Sequence, residues 1–201
     1  MKKELNYFNI DGCFGGNQDW FRDPMMKLGG CAAATACDLS IYLAMYRNKK
    51  HLCPYDAATL NKKQYVEFSR RMKPYLKPRR EGVNKPELYI DGYGQYLKDR
   101  GESGVTLAGF AGTAPIGEAE AAIKERLDLG MPVPYLLLKH KDPLLKDFVW
   151  HWFLLVGYEA AEDVFMVKTA TYGEYQWMDF KNLWNTGYME KGGFIIVKTR
   201  P

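Results

Sequence analysis

The apolar positions of this chain follow helical spacing in the first two thirds and strand-like spacing in the last third. Apolar residues recur at intervals of three and four across 31–46, 59–76 and 117–130, which predicts three helices. The helix starting at Cys31 follows two glycines, and its alanines allow close packing on several faces. We therefore expect this helix to be largely buried.

The segments between these helices are less regular. Residues 88–101 end in a further short helix closed by Gly101, and the branched and aromatic residues of 105–112 favour a strand. Residues 6–30 are rich in glycine, asparagine and aspartate, which predicts a looped approach to the first long helix.

The last third consists of short apolar segments separated by turn residues. These segments are 131–141, 150–160, 163–173 and 192–200. The pattern is typical of a mainly antiparallel sheet. Helices followed by strands predict an α+β fold in a single domain, with a mainly helical part over 1–130, a sheet part over 131–201 and a cleft between them.

Composition narrows the class of protein. The chain has 201 residues and a formal net charge of +4, and its basic residues cluster only in 77–85, which is too mild for a nucleic-acid footprint. Its start carries no apolar run typical of a signal peptide, and no window approaches the roughly 20 apolar residues of a membrane span. We expect a cytoplasmic protein with no membrane partner.

The four cysteines are candidates for chemistry. They are Cys13, Cys31, Cys37 and Cys53. In a reducing cytosol they are expected as free thiols. They form no CxxC pair, and the cysteine and histidine spacings match no zinc pattern, so we expect neither a metal nor another cofactor.

Cys31 is the strongest candidate nucleophile. The first amide groups of a helix are unpaired and carry partial positive charge, which stabilises a thiolate at that end. Gly29 and Gly30 directly before it would leave room for a substrate backbone. Cys37 lies about 240° around the same helix, which favours a core position, and Cys13 is at most an accessory thiol.

A thiol nucleophile needs a group that holds and donates a proton. Of the three histidines, His51 and His140 lie in charged surface-like segments, whereas His151 opens an apolar strand. His151 is therefore the preferred base. Trp150 and Trp152 flank it and are expected to shield it, with contact to substrate as a secondary role.

The two patches that carry these residues resemble the papain-like cysteine peptidases, especially the small bacterial branch that includes the double-glycine leader peptidases. The resemblance lies in "GGCAAATACDLSIYLA" and, more than a hundred residues later, "HWFLLVGYEAAEDVFMVKTATYG". It implies a papain-like fold, a nucleophile at Cys31, a base at His151 and, at the end of the next strand, a residue that orients the imidazole.

Two positions depart from that family pattern. The orienting position falls on Thr169 instead of Asn or Asp, which leaves a Cys-His dyad or a weakened triad. The glutamine that helps to bind the oxyanion stands close to the cysteine in the family, whereas Gln18 is thirteen residues away. A looped insertion would have to return Gln18 to the site. Asn17 is the alternative donor, and both Asn17 and Gln18 are equally well explained as turn residues beside two glycines.

These observations favour a cysteine hydrolase that cleaves a peptide or amide bond in a peptide or small-molecule substrate. An amine in place of water would make the same thiol an acyltransferase. A catalytically inactive module that binds a peptide or small ligand is the competing hypothesis, supported by Thr169 and the displaced Gln18. Substrate identity and oligomeric state stay open at this point.

Overall fold

The computed structural model describes residues 1–79 and 82–200. The helices are α1 (Pro24–Gly29), α2 (Cys31–Tyr46), α3 (Lys62–Met72), α4 (Pro86–Asp99), α5 (Ile116–Asp128) and α6 (Phe180–Trp184). The strands are β1 (Lys2–Glu4), β2 (Asn9–Ile10), β3 (Cys13–Phe14), β4 (Val105–Ala111), β5 (Val133–Leu137), β6 (His151–Ala161), β7 (Val164–Thr171), β8 (Glu174–Asp179) and β9 (Gly193–Thr199). Short 3-10 helices cover Gln18–Trp20, Lys50–Leu52 and Pro143–Phe148.

The main sheet has the order β4-β9-β5-β6-β7-β8, and β1 pairs with β6 beside this path. All of these pairings are antiparallel. The expected α+β class with a mainly antiparallel sheet is therefore confirmed.

Strand β6 is the centre of the sheet. Its first half pairs with β5, its second half pairs with β1 on the same side, and β7 covers its other edge. The first eight residues of β6 are all buried, because helix α2 packs on it and both sheet faces are covered. A strand buried on both faces reads as a continuous apolar run, as "HWFLLVGY" does.

Helix α2 has the bounds that the sequence predicts, and 13 of its 16 residues are buried. Its alanines let it lie close to β6, and Leu39, Ile41 and Leu43 fill the core around it. Burial of each such side chain contributes roughly 1.5–3 kcal/mol to folding. The helix also carries one buried carboxylate, Asp38.

The predicted division at residue 130 is not a boundary in the fold. Strands β1 and β4 belong to the first part of the chain, yet both join the main sheet. Helix α1 forms within 6–30, where a loop was expected, and β8 with α6 follows β7 without a sequence-based prediction. Across the described ranges, no helix has both the length and the apolar character needed to cross a membrane.

Candidate active site

The fold brings Cys31 and His151 to the wall of one small cavity. Cys31 is the first residue of α2 and His151 is the first residue of β6, and these two elements pack against each other. The Cys31 sulfur lies 3.9 Å from the carbonyl oxygen of Trp150, the residue before His151. Both side chains are buried.

The Cys31 thiol and the His151 imidazole are both neutral at rest. Burial raises the pKa of Cys31, although the backbone N–H groups of Trp152, Ala32 and Cys31 itself favour the thiolate. Burial lowers the pKa of His151 to about 4. The helix N-terminus thus supplies the expected amide donors, while burial opposes the thiolate that these donors favour.

The His151 ring is held from two sides. Its Nε2 atom lies 2.7 Å from Oγ1 of Thr171, and the Tyr172 ring stacks on it in parallel, with centroids 4.6 Å apart and planes 4° apart. The Tyr172 hydroxyl is 3.4 Å from Nδ1. Because the rings are parallel, this oxygen lies over the ring face and leaves the in-plane lone pair of Nδ1 available.

Thr171 and Tyr172 stand at a tight hairpin turn between β7 and β8. Thr171 pairs with Glu174, and the two residues between them, Tyr172 and Gly173, have φ values of +54° and +75°. Two successive positive φ angles identify a type I′ turn. The turn itself thus accounts for the left-handed backbone of Tyr172, which aims its ring at His151.

The expectation that Thr169 orients His151 is wrong. The Thr169 hydroxyl donates to the carbonyl oxygen of Gln176 at 3.1 Å, and Thr169 pairs with Leu155 in the sheet. Leu155 is four residues beyond His151, so Thr169 lies about 13 Å along the strand from the imidazole. Thr171 takes the place that counting along the family pattern assigns to Thr169.

Gln18 reaches the cavity despite its distance in sequence. The 3-10 helix of Gln18–Trp20 and helix α1 fold the intervening chain back, so that Gln18 is buried and lines the same cavity as Cys31. Its Nε2 donates to the carbonyl oxygen of Lys27 at 2.7 Å, while its Oε1 is buried and has no hydrogen-bond partner among the described residues. Since an amide nitrogen carries two hydrogens, one N–H stays available.

Asn17 is occupied as a turn residue. Its side-chain oxygen caps the 3-10 helix by accepting from the backbone N–H of Asp19, and its Nδ2 donates to the carbonyl oxygen of Tyr172 at 2.8 Å. It does not line the cavity of Cys31 and His151. Of the two candidate oxyanion donors, only Gln18 therefore lies in the cavity.

Gly29 and Gly30 form a packed junction between α1 and α2, which does not provide the expected open space for a substrate backbone. Gly30 closes α1 and opens α2, and an added Cβ there would lie 2.3 Å from the carbonyl oxygen of Met26. At Gly29 the nearest atom would be 3.6 Å away. Glycine is thus required at position 30 because the Met26 carbonyl oxygen lies too close for a side chain.

The two tryptophans beside His151 have different environments. Trp150 is 44% exposed and has a φ of +55°. Trp152 is buried, its indole N–H donates to the carbonyl oxygen of Val83 at 2.5 Å, and its ring stacks on Tyr89. Trp152 thus contributes to the core with its side chain and to the site with its backbone N–H, whereas Trp150 has surface open to a ligand.

Sequence reasoning missed several residues of the cavity wall, among them Asp38, Thr171 and Tyr172. The sequence contains a signal for Asp38, because it is the only charged residue of helix α2 and follows Cys31 by seven residues, or two turns. The cavity has a volume of about 10 Å³, about enough for one water molecule. Cys37 is buried in the core, as expected.

No protein-family model, curated protein or solved structure matches this chain.

Proposed function

We propose that the protein is a papain-like cysteine hydrolase that cleaves a peptide or amide bond through Cys31 and His151. The observation that carries the proposal is the shared cavity of a thiol at a helix start and an imidazole at a strand start, with the imidazole fixed through Nε2. A thiol, a base within the same pocket and a group that orients the base are the elements of nucleophilic catalysis.

The orientation of His151 supports a specific proton path. When Nε2–H donates to the Thr171 hydroxyl oxygen, Nδ1 is the unprotonated nitrogen. Nδ1 then accepts the thiol proton as the Cys31 sulfur attacks the carbonyl carbon of the substrate. This transfer converts a neutral pair into a thiolate attacking beside an imidazolium, so the charge appears only during the reaction.

The later steps use groups that already line the cavity. The free N–H of Gln18 and the backbone N–H of Cys31 stabilise the negative oxygen of the tetrahedral intermediate. The intermediate collapses as the C–N bond breaks, and the imidazolium donates its proton to the leaving amine. Water, deprotonated by His151, then attacks the thioester, releases a carboxylic acid and restores the thiol.

The hydroxyl partner of His151 sets an expectation for the rate. Thr171 holds the ring but carries no negative charge, so the imidazolium receives less stabilisation than a carboxylate would give it. The acylation step should therefore be slow for this class of enzyme.

The competing proposal is an inactive module that binds a peptide or small ligand. The observation that favours it is the small cavity, in which Cys31 and His151 are almost fully buried. A substrate reaches the sulfur only if this cavity opens.

Acylation by p-nitrophenyl acetate separates the two proposals. The test uses Cys13→Ser as the parent, because Cys13 is the one partly exposed thiol among the four cysteines. For the enzyme, p-nitrophenol appears in a burst of one equivalent, and the acetyl group is found on the Cys31 peptide by mass spectrometry. Cys31→Ser in the same parent serves as the matched control. A burst that persists in this control, or acetylation spread over lysines, would rule the enzyme out.

A further inference from the structure

Asp38 is a buried carboxylate that the proposed chemistry does not use. It lies on the same face of α2 as Cys31, two turns along, and lines the same cavity. It is 5% exposed. A buried carboxylate is costly unless its oxygens accept hydrogen bonds, so the partners of Asp38 indicate what it holds in place.

Three neutral donors converge on the Asp38 carboxylate. The Tyr65 hydroxyl donates to Oδ1 at 2.8 Å and the Tyr7 hydroxyl donates to Oδ2 at 3.0 Å. The backbone N–H of Gly16 is shared by both oxygens at 3.2 and 3.1 Å. Hydrogen bonds to a charged acceptor are about twice as strong as those between neutral groups. Asp38 therefore fixes the loop at Gly16 to the helix that carries Cys31.

The loop is shaped for this contact. An added Cβ at Gly15 would lie 2.8 Å from Asp38 Oδ2, and one at Gly16 would lie 1.9 Å from the Tyr65 ring. Only glycines let the backbone approach the carboxylate and its phenol partner this closely. The two glycines and Asp38 thus form one packed unit.

The same loop reaches both sides of the catalytic pair. Gln18 follows Gly16 by two residues, and the carbonyl oxygen of Gly16 accepts from the N–H of Gly173 at 2.9 Å. Asn17 adds its bond to the carbonyl oxygen of Tyr172. The fixed backbone at Gly16 therefore positions Gln18, two residues further on. Through its bond to Gly173 it also positions the turn that holds His151.

We propose that Asp38 is a positioning residue whose ionised carboxylate, through Gly16, holds Gln18 and the Thr171–Gly173 turn around Cys31 and His151. The catalytic part of this inference rests on the proposed function; the structural part does not. Asp38 touches neither substrate nor the reacting atoms in this role.

The ionisation of Asp38 gives the proposal a distinctive pH dependence. The titratable groups around it are Cys31, His151 and Tyr172, which line the same cavity, and four others that interact with its carboxylate: Tyr7, Tyr65 from α3, Tyr89 from α4 and the neighbouring Cys37. Burial raises the pKa of all four, so they stay protonated near neutral pH. Burial also raises the pKa of Asp38, to about 6. Below that pH the carboxyl group is neutral, and the hydrogen bond that it accepts from the Gly16 N–H becomes weaker.

Hydrogen exchange tests the structural part without any turnover. In the wild-type chain, protection of the Gly16 amide, corrected for intrinsic exchange, should fall by about 10-fold between pH 7.5 and pH 5. In Asp38→Asn, which keeps an acceptor and the side-chain shape, protection should be low at both pH values. Ser40→Ala is the matched control, because Ser40 is a buried polar residue of α2 bonded to Ala36 and Tyr93, away from the loop.

Cys31 acetylation tests the catalytic part in the same proteins. Asp38→Asn should acetylate about 10- to 100-fold more slowly at pH 7.5, while Ser40→Ala stays near wild type. If protection of the Gly16 amide in the wild-type chain did not change with pH, the proposal would be overturned even if Asp38→Asn failed to fold. Wild-type protection that falls with pH, together with no acetylation of Cys31, would instead reject the proposed function and leave the positioning role intact.

Discussion

The imidazole of His151 is held by Thr171, whose hydroxyl oxygen lies 2.7 Å from ring atom Nε2. The two residues are twenty positions apart in sequence. His151 is the first residue of β6, and Thr171 is the last residue of β7. When Nε2–H donates in this contact, Nδ1 is the unprotonated nitrogen, to which the proposed function assigns the thiol proton.

Replacement of Thr171 by valine should slow Cys31 acetylation by about 10- to 100-fold, because a hydrogen bond to the imidazolium is lost while the side-chain shape is kept. The measurement is the burst rate with p-nitrophenyl acetate at saturating and limiting ester. We expect the maximal rate to fall and the half-saturation concentration to stay nearly constant.

Thr169→Val is the matched control for Thr171→Val. Thr169 is two residues away on the same strand, and its hydroxyl bonds only to the Gln176 carbonyl oxygen. The variant should lose about 1 kcal/mol of stability and acetylate at the wild-type rate. If the two valine variants acetylated equally fast, Thr171 would have no role in orienting His151.

The buried imidazole should make folding stability depend on pH. The pKa of His151 is lowered from 6.5 to about 4 by burial, so between these values the unfolded chain binds more protons and stability rises with pH. At about 1.4 kcal/mol per pH unit, the contribution is on the order of 3 kcal/mol, lost as pH falls from 6.5 to 4.

Urea unfolding of wild type and His151→Gln at several pH values checks this contribution. Asp38 acts with the opposite sign, because its raised pKa makes stability fall as pH rises through the same window, but it is present in both proteins. The free energy of unfolding of the wild type, minus that of His151→Gln, should therefore fall by about 3 kcal/mol on acidification. A difference that does not change with pH would contradict a neutral buried His151.

The Tyr172 ring should control access to Cys31. It stacks on His151, and its hydroxyl lies 3.4 Å from Nδ1. Asparagine suits the left-handed turn position, so Tyr172→Asn removes the ring without disturbing the hairpin. Loss of the stacking pair should speed alkylation of Cys31 by iodoacetamide about 10-fold.

Tyr175→Ala is the control for access, because Tyr175 is an exposed residue of the adjacent strand β8 that makes an edge-on contact with the Phe14 ring. Its Cys31 alkylation rate, measured by mass spectrometry of the Cys31 peptide, should match that of the wild-type chain. An unchanged rate in Tyr172→Asn would show that another group blocks the sulfur.

The junction between α1 and α2 should not tolerate a side chain at Gly30. Because an added Cβ would lie 2.3 Å from the Met26 carbonyl oxygen, Gly30→Ala should destabilise the fold by about 1–3 kcal/mol. Gly94 in α4 has open space around it, so Gly94→Ala should stabilise the protein by about 0.5–1 kcal/mol. Urea midpoints of the two variants should move in opposite directions, and a stable Gly30→Ala would refute the packed junction.

The sequence predicts the elements that carry long apolar segments. Helix α2 begins at Cys31 and ends at Tyr46, as its apolar spacing and flanking glycines indicate. Strand β6 is predicted correctly because a strand that is buried on both faces has an unbroken run of apolar residues. The short helix α1 has six residues, and strand β1 pairs with a distant partner, so local pattern gives little signal for either.

The site is predicted from the sequence only in part. Cys31, His151 and Gln18 line one cavity; local chemistry had singled out Cys31 and His151, and the family resemblance had singled out Gln18. Thr171 was missed because register depends on the hairpin: the β6–β7 pairing shifts at a bulge between Leu155 and Gly157. A shift of one residue changes which side chain faces a given partner, and a single sequence does not specify it.

The pH dependence of Cys31 acetylation, compared between wild type and His151→Gln, tests the transfer of the thiol proton to His151 most directly. Because the pKa of the imidazole is lowered to about 4 and burial raises that of the thiol, the wild-type rate should be flat from about pH 7 to about pH 8, a range above the pKa of Asp38. Without the base, the rate should follow the thiolate fraction and rise about tenfold per pH unit. Two profiles of the same slope would contradict a catalytic role for His151.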